Sequence, residues 1–363
     1  MINQAATLEA LSVAVAARVP VLLWGAPGTG KTSAIRALAA AIGWPCEVVI
    51  AAIREPSDFA GLPVITDGQV RFAPPQWADR LANHGHGILF LDEISTAPPA
   101  VQAALLRVVL ERVVGDLVLP EQVVVVAAAN PPELAADGWD LSPPLANRFC
   151  HLDWECDPQG LAVGLTSGWP APIVPLLPGD WEMHLPYARG LVAAFMSLRP
   201  ILACVPPTDS VRGGRAWPSP RTWEMAARLL TAAELAGAGD GVRASLIIGS
   251  VGEGAGVEFL SWVVEMDLPD PEAVLADPES FAVPTRGDRA HAALTAIAAA
   301  VSRNPTLDRW AAAWRVLGRA GESAPDVAAV AARMLARCRP EHAPLPPEVR
   351  AFMPLLREAQ LLE

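Results

Sequence analysis

One octapeptide constrains this chain more than any other feature. Gly25-Ala26-Pro27-Gly28-Thr29-Gly30-Lys31-Thr32 fits the pattern G-x-x-x-x-G-K-[ST] at every position. A short apolar run at 19–24 precedes it, and a helical pattern over about 31–42 follows. Strand, glycine-rich turn and helix in that order form a phosphate cradle. Glycines let backbone N–H groups curl round phosphate oxygens, and the helix N-terminus adds its dipole. Composition sharpens this. The chain has 27 basic residues, and reading along it only Lys31 is lysine. Arginine is a planar fork and lysine a compact point charge. A chain that uses arginine everywhere else keeps lysine where a tight cradle needs an ammonium. Lys31 is expected to reach the β- and γ-phosphates, and the Thr32 hydroxyl to ligate Mg²⁺.

The 363 residues suggest about two domains. With 52% hydrophobic and 18% charged residues, the chain is neither disordered nor fibrous. A net charge of −12 argues against a general nucleic-acid backbone binder. Five irregularly spaced cysteines and the lack of a basic segment before an apolar N-terminal core fit a reduced, cytoplasmic protein. The longest uncharged stretch, 158–179, carries five prolines and four glycines counting Gly179, and is expected to be a loop rather than a membrane span.

The first part of the chain alternates apolar strands with helices. Helical patterns are expected at 8–19, 31–42, 75–83 and 98–114, and strands at 46–53, 88–91, 123–129 and 149–154. Continuous apolar runs separated by helices indicate a parallel sheet covered on both faces. Asp67-Gly68 marks a hairpin between 62–64 and 69–72. Beyond about 156 helical patterns dominate. The expected organisation is an α/β nucleotide-binding domain at 1–155, a helical lid with a Pro-rich connector at 156–266, and a linker with a C-terminal helical extension at 267–363. Asp267, Pro269, Asp270, Pro271 and Pro278 give 267–286 its linker character.

Further candidates sit at strand ends. Gly87-Ile88-Leu89-Phe90-Leu91 leads into Asp92-Glu93, a carboxylate pair where parallel α/β sheets bind ligands. Asp92 suits a Mg²⁺ shell, and Glu93 suits orienting and deprotonating an attacking water. Asn130, after the 123–129 run, can bond both a γ-phosphate and that water; it also suits the turn before Pro131-Pro132. Arg148 precedes the last strand. Arg221 opens a helix behind Ser219, where a cation opposes the macrodipole and so needs another partner. His84, His86, Cys150, His151 and Cys156 lack zinc-motif spacing.

Together these landmarks resemble the AAA+ ATPases, and within them the MoxR-like branch, over about residues 5–266. The more specific marks are Glu55-Pro56-Ser57-Asp58-Phe59-Ala60-Gly61, the 62–72 hairpin, Asp92-Glu93-Ile94 followed by Ala97-Pro98-Pro99 and Gln102-Ala103-Ala104-Leu105-Leu106, and Ser219-Pro220-Arg221. The resemblance implies Mg²⁺-dependent ATP hydrolysis by a homo-oligomeric, hexameric ring that remodels a protein client in chaperone fashion, often one with a von Willebrand factor A domain. It makes Asn130 sensor 1, Arg221 sensor 2 acting in cis, and Arg148 an arginine finger acting on the neighbouring subunit's ATP. It makes the hairpin a candidate for client contact in the ring pore. Ser95-Thr96 stands where the family often has Asn-Arg. The same residues also fit a nucleotide-dependent switch or scaffold with slow turnover. A DNA-acting machine sits poorly with the acidic charge, and a small-molecule kinase leaves Asn130, Arg148 and Arg221 unexplained.

Overall fold

The computed structural model describes residues 4–131, 134, 139–209, 213–266, 268–323 and 325–361. In chain order its first part runs α1 (Gln4–Ala16), β1 (Val21–Trp24), α2 (Lys31–Ala41), β2 (Cys46–Ile50), α3 (Ser57–Ala60), β3 (Leu62–Thr66), β4 (Gln69–Ala73), α4 (Gln76–His84) and β5 (His86–Asp92). It continues with α5 (Pro99–Glu111), β6 (Val113–Val114), β7 (Leu117–Val118), β8 (Gln122–Ala129), α6 (Pro143–Ala146), β9 (Cys150–Asp153) and α7 (Pro158–Ser167).

Five strands form one sheet in the order β2-β5-β8-β1-β9, with every pairing parallel. Leu22, Leu23, Leu89, Phe90 and Val126 are fully buried, as a sheet covered on both faces requires. The architecture is therefore the expected parallel α/β sheet followed by helices. Register fixes the ends. Val21 pairs with Cys150 and Trp24 with Asp153, so the glycine-rich turn leaves the C-terminal end of β1 while residue 148 enters β9 at its N-terminal end. Gly25 is pinned between neighbours: its N–H donates to Ala129 O at 3.1 Å, and an added Cβ would lie 2.4 Å from Trp154 O.

The hairpin at 62–72 forms as β3–β4 around Asp67-Gly68, both with positive φ. Leu62, Ile65, Val70 and Phe72 on it are exposed. Three expectations need correction. The helix expected over 98–114 ends at Glu111, because Arg112 turns left-handed (φ 56°) and Val113–Val114 pairs with Leu117–Val118. The stretch expected to be a loop opens with helix α7. Pro158 occupies the first turn, where its missing N–H costs nothing, and the Asp157 carboxylate accepts the Gln159 N–H at 3.0 Å. Gly164 lets Trp169 pack directly on this helix. The linker-like stretch contains the short helix Pro271–Ala276, capped by Asp270; Asp267 lies outside the described residues.

By contacts the chain forms two units, Met1–Pro178 with Cys204–Val257, and Gly179–Ala203 with Glu258–Glu363. In the first, the helices Pro220–Leu235 and Asp240–Val251 pack on each other and on α1, and the second also packs on β9. The second unit is helical, with Trp310 and Trp314 edge to face in its core. A division into domains at about 155 and 266 remains a proposal. No helix among the described residues is long and apolar enough to cross a membrane.

Candidate functional site

The glycine-rich turn is built for close backbone approach. Gly28 and Gly30 adopt positive φ (78° and 89°), which a side chain would strain, and a Cβ on either would meet open space. Gly30 caps α2 with no side-chain cap hydrogen bond among the described residues, so the first N–H groups of α2 face the turn. Two donors brace the turn through one carbonyl: Trp154 Nε1 and Gln4 Nε2 reach Thr29 O at 3.0 and 3.3 Å.

Lys31 is only 8% exposed. Its ammonium donates to Gly25 O (2.6 Å), Ala26 O (3.0 Å) and Asn130 Oδ1 (3.2 Å). Burial lowers its pKa, and the carboxylates of Asp92 and Glu93 oppose that. Beside it, Thr32 Oγ1 donates to Asp92 Oδ2 at 3.0 Å. A hydroxyl and a carboxylate oxygen side by side are the donor set a hard cation takes, so these residues fit Mg²⁺. Glu93 follows in the left-handed region (φ 55°, ψ 39°), uncommon for a non-glycine residue, and its side chain is exposed. The structure thus brings Lys31, Thr32, Asp92, Glu93 and Asn130 to one place, the C-terminal ends of β1, β5 and β8.

The two arginines lie elsewhere. Arg148 stands two residues before Cys150, at the opposite end of the β1–β9 pair from the glycine-rich turn, separated by about 10 Å of strand. Its Nη1 donates to Pro144 O, and its Nε is buried with no hydrogen-bond partner among the described residues. Burial lowers its pKa, and Arg221 adds to that effect. Arg221 Nη1 reaches Asn147 Oδ1 at 3.4 Å. Asn147 is buried and also accepts from Ser219 Oγ (2.8 Å) and donates to Trp217 O (3.2 Å). Arg221 therefore sits beside the Arg148 segment. That Arg221 acts in cis on its own subunit's phosphate, as the family likeness implies, stays a proposal.

Sequence reading assigned no role to two buried amides, Asn147 and Gln102. Gln102 is 1% exposed and shares the apolar stripe of α5 with Leu105 and Val109. A polar residue inside an apolar stripe is the signal that could have found it. His151 is also bound up: Trp24 Nε1 donates to its Nδ1 (2.9 Å), which leaves Nε2 to donate to Ala146 O (2.9 Å). Burial pushes its pKa down to about 4 and that of the Cys150 thiol up to about 12.

A five-stranded parallel sheet with a complete phosphate loop, an Asp-Glu pair on the strand beyond the next and a polar amide between them defines a P-loop nucleotide-binding domain. Residues 20–149 match the AAA domain (dynein-related subfamily). Protein MoxR of Paracoccus denitrificans is 34% identical over 114 residues, which is 31% of this chain and 33% of that protein. The match thus spans about a third of that relative's length. Among solved structures, a presumed ATPase of Cytophaga hutchinsonii aligns over 65% of this chain and 77% of its own (TM-score 0.40, 18% identity). A full-length MCM homolog of Methanopyrus kandleri aligns over 70% and 54% (TM-score 0.37, 17% identity). Residues 20–149 thus carry an AAA domain, and part of the chain resembles Protein MoxR.

Proposed function

We propose that this protein hydrolyses ATP in a ring, hexameric by family likeness, in which each subunit completes its neighbour's site. The observation that carries the reading is the Lys31 ammonium held between two phosphate-loop carbonyls and Asn130, with the Thr32–Asp92 oxygen pair alongside. Lys31 and the free N–H groups at the start of α2 bind the phosphates. Thr32 and Asp92 hold Mg²⁺, which supplies neutralisation of phosphate-oxygen charge. Glu93 orients the attacking water and takes its proton, and Asn130 positions the same water. Arg148 stands too far along β9 to serve its own phosphate loop, which supports its presentation to the next subunit. Arg221 is proposed as sensor 2, acting in cis on its own subunit's nucleotide as the family likeness implies.

The exposed β3–β4 hairpin offers Leu62, Ile65, Val70 and Phe72 to a protein client in chaperone-like remodelling, and the MoxR likeness suggests a von Willebrand factor A domain protein. We place the work in the cytoplasm. The test is phosphate release from MgATP measured against protein concentration. Shared sites give specific activity that rises with concentration until the ring is assembled. Constant specific activity down to dilutions where only monomer exists overturns the reading.

A further inference from the structure

The buried amide of Gln102 spans two segments that the chain itself separates by some forty residues. Its Nε2 donates to Ala97 O (3.1 Å) and to Asp140 O (3.3 Å), and its Oε1 accepts the Ser142 N–H (2.8 Å). Both amide hydrogens and the carbonyl are thus spent on backbone. Ala97 closes the turn that begins at Glu93: Thr96 N–H and Thr96 Oγ1 both donate to Glu93 O, at 3.2 and 2.9 Å. Ser142 is the N-cap of α6, where its carbonyl accepts the Leu145 and Ala146 N–H groups at 2.9 Å. The succession continues without a gap: Arg148 N–H donates to Leu145 O and Phe149 N–H to Ala146 O, both at 3.1 Å. Gln102 grips the start of this hydrogen-bonded turn, and Arg148 hangs from its end.

We propose that Gln102 is a positioning residue that fixes Arg148 for the neighbouring subunit's nucleotide, taking its reference from the turn behind Glu93. This rests on the shared-site reading above. Only a neutral amide serves. A glutamate cannot donate to the two carbonyls, and an apolar isostere leaves two carbonyls and one N–H without their partner. Small misplacements of a group that acts only in the transition state lower turnover without weakening ground-state binding.

The test is complementation between variants. Gln102→Met is mixed with Glu93→Gln under conditions that let subunits exchange, and ATP affinity and turnover are measured for each alone and for the mixture. Alone, Gln102→Met binds ATP as wild type does and turns over about tenfold to a hundredfold more slowly. In the mixture, Gln102→Met subunits that face the intact Arg148 of a Glu93→Gln neighbour regain the wild-type rate, so an equal mixture recovers about a quarter of wild-type turnover, half of the subunits being Gln102→Met and half of those facing such a neighbour. A parallel mixture of Arg148→Ala with Glu93→Gln calibrates the assay. Recovery there with none in the Gln102 mixture overturns the proposal, as does unimpaired turnover by Gln102→Met alone. No recovery in the Arg148 mixture overturns the shared-site reading, and the Gln102 proposal falls with it. If Gln102→Met does not fold, Ser142→Pro enters the same assay: Ser142 has φ −63°, which proline adopts, and the change removes the N–H that Gln102 accepts, together with a hydroxyl that makes no cap hydrogen bond to α6.

Discussion

The Lys31 ammonium lies 3.2 Å from Asn130 Oδ1, joining the first turn of α2 to the end of β8 across the mouth of the glycine-rich loop. The contact explains the lone lysine in physical terms. Three acceptors converge on one buried point charge, and a planar guanidinium cannot satisfy that geometry at that distance. Lys31→Arg should therefore lower ATP turnover by a hundredfold or more, on the scale of losing a charge-stabilising donor. Steady-state phosphate release checks this, and a silent substitution would remove the basis of the phosphate assignment.

Arg148→Ala should separate binding from turnover. Arg148 stands at the far end of the β1–β9 pair from its own loop, so nucleotide affinity should hold within a few fold. Turnover should fall by about a thousandfold, the lower range for arginines that act on a neighbour's phosphate. Fluorescent-nucleotide titration beside a turnover assay measures both, and a matched loss of affinity would place Arg148 at its own subunit's nucleotide.

His151 sets a pH signature in stability. Its pKa lies near 4 in the fold, against an ordinary value of 6.5. The unfolded chain therefore binds more protons between these values, and stability is lost as pH falls from about 6.5 to about 4, by on the order of 3 kcal/mol. Denaturant midpoints across that window should decline for wild type. His151→Gln, which can still accept from Trp24 and donate to Ala146, should flatten the decline, and an identical slope in both proteins would refute the assignment.

Gly25 has no room for a methyl group. A Cβ would lie 2.4 Å from Trp154 O, a backbone atom that cannot swing aside. Gly25→Ala should destabilise the fold by about 1–3 kcal/mol and shift the loop that holds Lys31. Calorimetry and nucleotide titration test the two effects, and a variant with wild-type stability and affinity would show that the loop yields freely.

Much of the site was legible because it sits at strand ends. Asp92 and Asn130 each follow an apolar run too continuous to be anything but a buried parallel strand, and Lys31 follows a glycine pattern with one physical use. What escaped the sequence depends on context that local pattern does not carry. Pro158 reads as a helix breaker until Asp157 is seen to cap the turn behind it. Val113 and Val114 extend the apolar helix pattern of α5, and only the left-handed Arg112 turns them into a strand. The neighbourhood of Arg221 depends on where a distant helix docks, and Asn147 reports it through a hydrogen bond with no sequence signature.

If Glu93 is the base for ATP bound at Lys31, Glu93→Gln should silence turnover and spare binding. Glu93 is exposed, its backbone N–H donates to Asp92 Oδ1 at 3.0 Å, and the exchange removes the base while keeping its size. Nucleotide binding and phosphate release should be measured on the same preparation. The expected result is wild-type affinity for MgATP with turnover at least about a hundredfold lower, as for loss of a general base. Turnover at the wild-type rate with affinity intact would exclude Glu93 as the base.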